Sequence, residues 1–275
     1  MVGHTFPAID PEVLRETGQV EGLIPAELRR GSPPPIPNLS ELQVVRHYTR
    51  LSQMNFSVSL GTYPLGSCTM KYNPAVNERC IAHPGFSWLH PLQDVRTTQG
   101  ALELMWELER ALLAITGMAR VSFQPSAGAQ GELVGILMIR AYHRSHGQAK
   151  RDTILVPDSA HGTNLATATL VGYRVVELPS SERGLIDLDT LSRALSDRTA
   201  GLMLTNPNTL GLFEEDILEI TRMVHAAGGL VYYDGANLNA IMGRARPGDR
   251  GLDVIHMNLH KTFSTPHGGG GPGAG

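Results

Sequence analysis

From about residue 98 the apolar positions of the chain settle into a regular pattern. Leu104, Leu108, Ala111, Leu112 and Ile115 fall at helical spacing on one face, and Gly117 follows as a natural terminator. Short apolar runs rich in β-formers come next: Val121–Phe123, Thr153–Val156, Arg174–Leu178, Gly201–Leu204, Leu230–Tyr233 and Val254–Met257. Between them the periodicity predicts helices near 129–143, 163–171, 187–196 and 215–227. Brief buried runs separated by helices predict an α/β fold, a mainly parallel sheet with helices on both faces. No segment repeats another.

The first part of the chain reads differently. Residues 1 to about 38 look like an arm, because Ser32-Pro-Pro-Pro-Ile-Pro37 has fixed φ and few donors and should run extended. Ser40 with Gln43 three residues on is a capping box, and Leu39 is placed to staple against Val44, so a helix is expected to start there. Residues 61–91 show no clean period and read as an ordered loop with short turns, a length that usually marks function. The expected organisation is an arm, helix and loop over 1–95, then a large domain over 96–275.

Composition narrows the class. The 275 residues are 41% hydrophobic, enough for a sizeable core, while aromatics are only 5% against 30 glycines and 18 prolines. That balance suits an α/β enzyme with many tight turns. A net charge of -3 gives no sign of a nucleic-acid partner. Cys68 and Cys80 are the only cysteines, too few for a disulfide framework, which points to a reducing compartment. There is no CxxC pair, the 11 histidines are scattered, and no metal site is expected. No apolar run approaches the roughly 18 residues of a membrane span. The acidic, proline-interrupted N-terminus is unlike a signal peptide, so a cytoplasmic location is expected.

The candidate chemistry lies at the ends of the predicted strands, where open α/β sheets bind ligands. Ser126-Ala-Gly-Ala-Gln-Gly131 opens a helix, and its small residues would let backbone N–H groups approach a phosphate; an ordinary turn with Ser126 as N-cap is the alternative. In Asp158-Ser-Ala-His-Gly-Thr-Asn164, His161 would stack on a planar heteroaromatic ring, or else Asp158 or Ser159 caps the next helix. Asn206, within Thr205-Asn-Pro-Asn-Thr209, would donate to an oxyanion or simply build a turn. Asp234 ends an apolar strand, where a buried carboxylate calls for a cationic partner such as a protonated pyridine nitrogen; a cap or an arginine pair is the plainer reading. Lys261 lies just past the last strand, where a lysine suits covalent attachment of an aldehyde cofactor, though most lysines are solvated surface groups. Each signal is weak alone. Anion cradle, ring clamp, carboxylate and amine in this order are the set a pyridoxal-phosphate site requires. Neither GxGxxG nor a P-loop occurs in the right context.

This order resembles fold-type I pyridoxal-phosphate enzymes, and the wording is closer to the glycine-cleavage P-protein family. Tyr63-Pro-Leu-Gly-Ser-Cys-Thr-Met-Lys71 is similar to that family's LGSCTMK segment, and SAHGTN, TNPNTLGLFE, YYDGANLNA and NLHKTFSTPHGGGGPG also match, from about residue 40 to the end. The resemblance implies a pyridoxal-phosphate-binding large domain of the aminotransferase kind. It implies that Lys261 holds the cofactor, Asp234 its ring nitrogen and His161 its face. Ser126, Ala127 and Gly128 would lie at the phosphate, Asn206 near the phenolic oxygen, and Ala236 and His260 against the cofactor. Ser67, Cys68, Thr69 and Lys71 would line the entrance for substrate and a partner's lipoyl arm. Ser264 and Leu165 depart from the family's usual cysteine and proline without removing a needed group.

The implied activity is decarboxylation of glycine, with transfer of the aminomethyl group to the lipoyl arm of the H-protein. The lysine together with the short proline-containing arm resembles the catalytic subunit of the family's two-subunit form. Its partner would be a homologous subunit lacking the lysine, in a hetero-oligomer expected to hold two of each. Two other readings stay open: another fold-type I lyase or decarboxylase, and a non-catalytic scaffold subunit. A desulfurase is disfavoured, since no cysteine follows Lys261. Gly268–Gly275 is nearly all glycine, and the family's strand and small C-terminal domain would follow it. A gap in the sheet, and inactivity of these residues by themselves, are therefore expected.

Overall fold

The computed structural model describes residues 25–32, 35–61, 72–266 and 273–275. The chain divides into two units, Met1–Tyr63 and Pro64–Gly275.

In the first unit, helix α1 spans Glu41–Gln53 and begins as its sequence dictates. Ser40 Oγ accepts from the Gln43 N–H at 3.4 Å, and Gln43 Oε1 accepts from the Ser40 N–H at 2.9 Å. This reciprocal pair satisfies two backbone donors that a helix start leaves open. No residue of α1 is buried.

The second unit opens with two short helices, α2 (Ala75–Ile81) and α3 (Pro84–Ser87). The stretch read as loop over 61–91 is therefore partly helical from Ala75. Both helices are too short for a hydrophobic period to register in the sequence. Helix α4 (Gln99–Thr116) ends on Gly117 at φ 70°, as expected of a glycine terminator. Of its predicted apolar face only Leu112 is buried, while Leu104 and Leu108 are exposed.

The core is a parallel sheet of β1 (Thr153–Pro157), β2 (Arg174–Leu178), β3 (Thr199–Leu204), β4 (Leu230–Gly235) and β5 (Val254–Met257), in the order β2-β1-β3-β4-β5. Side chains alternate between its faces. Leu155, Leu202, Leu204, Val231 and Tyr233 pack against α7 (Leu188–Ala194) and α8 (Ile217–Ala226). Ile154, Val156, Met203 and Tyr232 pack against α5 (Gly128–Ser145) and α6 (Gly162–Leu170). The expected layers, helices on both faces of a parallel sheet, are thus present.

One expected strand is not. Val121–Phe123 forms no strand. Instead Val121 and Phe123 line a cavity of about 210 Å³ whose other walls include Val254, Ile255 and His256 of β5. With a cavity rather than a hydrogen-bonding neighbour beside it, the run cannot become part of the ladder. That cavity lies along the edge of β5 that does not pair with β4.

Candidate active site

In this sheet the order reverses between β1 and β3, and a crevice beyond the carboxyl ends of the strands is the expected ligand site. The chain delivers polar groups there. Asp234 is the penultimate residue of β4, and His256 is its register partner on β5. Parallel pairing turns both side chains to the face that carries α5 and α6. Both residues are buried.

Asp234 Oδ2 accepts from Asn164 Nδ2 at 3.1 Å, and Oδ1 accepts from the Ala236 N–H at 3.1 Å. His256 Nε2 lies 3.4 Å from Oδ1. Burial pushes the His256 pKa down, against the opposing pull of Asp234 and Glu132, which favours the neutral ring. Its Nδ1 is in a short hydrogen bond with the Tyr232 hydroxyl, whose own pKa burial raises well above the usual phenol range. The hydroxyl is therefore the donor, and Nε2 carries the proton that faces Asp234. Among the described residues no lysine or arginine pairs with Asp234. A buried carboxylate held only by neutral donors is suited to a cationic ligand.

Helix α5 presents the anion end of the crevice. Its N-cap, Ala127, supplies no side-chain cap, so first-turn N–H groups are open to a ligand. Ser126 is not the cap. Its backbone N–H and hydroxyl both turn to Gln130 Oε1 instead. Gly128 is sterically required, since a Cβ there would lie 1.9 Å from Asn258 Oδ1. Asn164 Oδ1, Asn258 Oδ1 and Glu132 Oε1 are buried without a hydrogen-bond partner. Orphaned acceptors of this kind around one crevice call for a bound group.

His161 caps α6 itself, its Nδ1 accepting from the Thr163 N–H at 3.2 Å, so neither Asp158 nor Ser159 is the cap. Asp158 is engaged by the backbone N–H and hydroxyl of Ser180, which hold its carboxyl below the usual range. The His161 ring is exposed at the mouth of the crevice. Lys261 is half-buried in α9 (Leu259–Thr262), directly after β5. His260 is buried, with Nδ1 3.1 Å from both the N and the O of Ala274.

Asn206 is used structurally on one side. Its Oδ1 accepts from the Glu214 N–H at 2.9 Å, and its carbonyl accepts from the Tyr233 hydroxyl at 2.7 Å. It also lines a small cavity with Phe213, Ile217 and Leu252. Ser264 accepts from Asn77 Nδ2 at 3.2 Å. Ser67, Cys68, Thr69 and Lys71 lie outside the described residues. Among those described, no cluster of histidine, cysteine or acidic residues has the makings of a metal site.

Sequence reasoning gave no role to Glu132, Thr163, Asn164, Tyr232 or His256. A signal existed for the first. Gly128, Glu132, Gly135, Ile136, Ile139 and His143 recur at helical spacing and form the buried face of α5, so a glutamate stands on an apolar stripe. His256 could be found only through its register with Asp234.

A parallel α/β sheet with a buried carboxylate, an uncapped helix start and a lysine at one end places the chain in the aminotransferase-like α/β class. The profile of the class-V aminotransferase family matches residues 109–270, and the chain belongs to that family. It is 60% identical over 274 residues to a probable glycine dehydrogenase (decarboxylating) subunit 2 of Thermococcus onnurineus, covering all of this chain and 53% of that protein. The protein of the same name from Bacillus cytotoxicus is 54% identical over 274 residues, with 55% of it covered. The chain thus spans about half the length of the curated relatives it matches. Among solved structures, an inhibitor-bound glycine decarboxylase (P-protein) of the glycine cleavage system superposes with a TM-score of 0.73 at 24% identity, over 98% of this chain and 61% of that one. A glutamate decarboxylase domain from Vibrio parahaemolyticus gives 0.64 at 16% identity, over 94% and 59%. At these identities the structural likeness shows the fold.

Proposed function

We propose that this chain carries the pyridoxal-phosphate site of a glycine dehydrogenase (decarboxylating). The observation that carries the reading is Asp234, buried near the end of β4 with neutral donors only, on the sheet face that α5 covers, whose start is uncapped. The glycine specificity is supported by the names of the relatives.

When bound, the cofactor supplies an electron sink for the pair left behind as glycine loses carbon dioxide. The residues present fit it. Lys261 would hold it covalently, and Asp234 would keep its ring nitrogen protonated. Ala127 and Gly128 would meet its phosphate with backbone N–H groups, and the Ser126 hydroxyl would have to turn to it from Gln130 Oε1. His161 lies against its face, Asn206 offers its amide nitrogen to the phenolic oxygen, and Ala236 and His260 pack beside it. Asn164 and His256 keep the Asp234 carboxylate in place. Lining the entrance for glycine and for the lipoyl arm of an H-protein, which receives the aminomethyl group, is the role proposed for Ser67, Cys68, Thr69 and Lys71, outside the described residues.

The working unit pairs this subunit with a homologous one lacking the lysine, two of each. The word "subunit" in the relatives' names supports this, as does the largely exposed apolar face of α4. No helix among the described residues is long and apolar enough to cross a membrane. A cytoplasmic location is proposed on the scarcity of cysteine, which suits a reducing compartment.

The test is exchange of labelled bicarbonate into glycine, using the full-length protein with its partner, H-protein and cofactor. Exchange that depends on the cofactor is expected. Its absence, with another amino acid decarboxylated instead, would assign the site to a different member of the fold. Absence of cofactor binding would leave a scaffold subunit.

A further inference from the structure

Glu132 is a buried acid to which the mechanism above gives no task. It lies on the buried face of α5 with 2% of its surface exposed. Its Oε2 is 3.0 Å from Thr163 Oγ1, and its Oε1 has no partner. Thr163 Oγ1 is in turn 2.7 Å from His161 Nδ1. A single hydroxyl therefore stands between a buried carboxyl group and the exposed imidazole proposed to lie on the cofactor.

We propose that Glu132, Thr163 and His161 form a proton relay in which the hydroxyl of Thr163 ties the protonation of Glu132 to the tautomer of His161. Glu132 and Thr163 are positioning residues, since they act through His161. The inference deepens the proposed function and rests on His161 facing the cofactor.

The coupling follows from counting protons. A hydroxyl has one hydrogen to donate and lone pairs to accept with. When Glu132 is ionised, Thr163 donates to Oε2 and must accept from His161, so His161 carries its proton on Nδ1 and Nε2 is a free base. When Glu132 is protonated, it donates to Thr163, and Thr163 donates to His161 Nδ1. That nitrogen then also accepts the Thr163 backbone N–H, which is the cap geometry observed at 3.2 Å. His161 now carries its proton on Nε2 and is an acid. The two states differ by one proton, and Nε2 is the atom that exchanges it with the ligand. As Nε2 releases a proton outward, the hydrogen bond from Glu132 to Thr163 passes one to Oγ1, and Oγ1 passes its own to Nδ1. The step breaks one O–H or N–H bond for each one formed and needs no oxidant or reductant.

The test is nitrogen-15 spectroscopy of His161 in the full-length holoenzyme with its partner subunit, with the histidines labelled and His161 assigned by its loss in His161→Gln. Glu132→Gln places an amide N–H where the acid proton would be, so Thr163 is made to donate to His161. The His161 signals are expected to shift to the Nε2–H tautomer. Thr163→Val should abolish the coupling, and Thr163→Ser should restore it. Exchange activity is expected to fall at least about tenfold in Thr163→Val and recover in Thr163→Ser, within the range of general acid–base effects. An unchanged His161 tautomer in Glu132→Gln, or a Thr163→Val protein whose His161 signals still respond to Glu132→Gln as the parent's do, overturns the relay. If Glu132→Gln does not fold, the Thr163→Val and Thr163→Ser pair decides alone. Because the tautomer is read without glycine, a failure of the glycine assignment would leave this result standing, and a failed relay would leave that assignment standing.

Discussion

His256 Nε2 lies 3.4 Å from Asp234 Oδ1, the two residues being register partners on adjacent parallel strands. The contact is built by the sheet itself and not by a loop, so it is as rigid as the core. Tyr232, two residues before Asp234 and on the same face, fills the other ring nitrogen.

This arrangement sets a pH dependence. Burial lowers the His256 pKa from its ordinary 6.5. The unfolded chain therefore binds a proton at a higher pH than the folded one, and stability declines as pH falls below about 6.5 toward the folded value. Thermal unfolding of the full-length protein followed from about pH 7 to about pH 5 should show a falling midpoint. His256→Gln should flatten that slope over the same window. An equal slope in the variant would remove His256 as its source.

Asp234→Asn should leave cofactor binding largely intact, because the amide keeps the shape and one acceptor for the Ala236 N–H. It cannot hold a ring nitrogen protonated. Losing a buried charge partner costs several kcal/mol, so glycine–bicarbonate exchange should fall by about a hundredfold or more. The absorbance of bound cofactor and the exchange rate, measured on the same preparation, separate binding from catalysis. Near-normal exchange would refute the role.

Lys261 should be the residue that borohydride reduction labels with the cofactor. Peptide mapping reads the position directly, and label on any other lysine would reassign it.

Gly135→Ala should destabilise the protein although alanine is the better helix former. The new Cβ would lie 2.6 Å from Tyr232 Cε2 and 3.1 Å from Val254 Cγ1. Tyr232 is fully buried and has nowhere to move. Overpacking typically costs about 1–3 kcal/mol, and the helix gain offsets up to about 1. A net loss near 1–2 kcal/mol is expected from denaturant midpoints, with a weakened Tyr232–His256 bond. Gly100→Ala, in α4 with nothing near its Cβ, should instead gain a few tenths to about 1 kcal/mol. Equal effects at the two sites would sink the packing account.

Much of the fold was legible in the chain. Helix α1 with its capping box, the Gly117 terminator and every strand from β1 to β5 follow from local period and turn chemistry. These signals act over a few residues and survive without tertiary context. Val121–Phe123 shows the limit. Its composition is that of a strand, yet a strand exists only where a neighbour supplies the ladder, and here a cavity stands beside it.

The same division runs through the site. Residue type and order along the chain determined that Asp234 ends one strand and that Lys261 follows another, because strand ends are local features. What only the tertiary structure decided is who faces whom. The register of β4 and β5 set His256 against Asp234. The close approach of α5, opened by Gly128 and Gly135, buried Glu132 within reach of Thr163. These pairs are 22 and 31 residues apart in sequence. No local preference encodes such a distance; it is fixed when side-chain packing across the sheet selects one register and one helix position out of many.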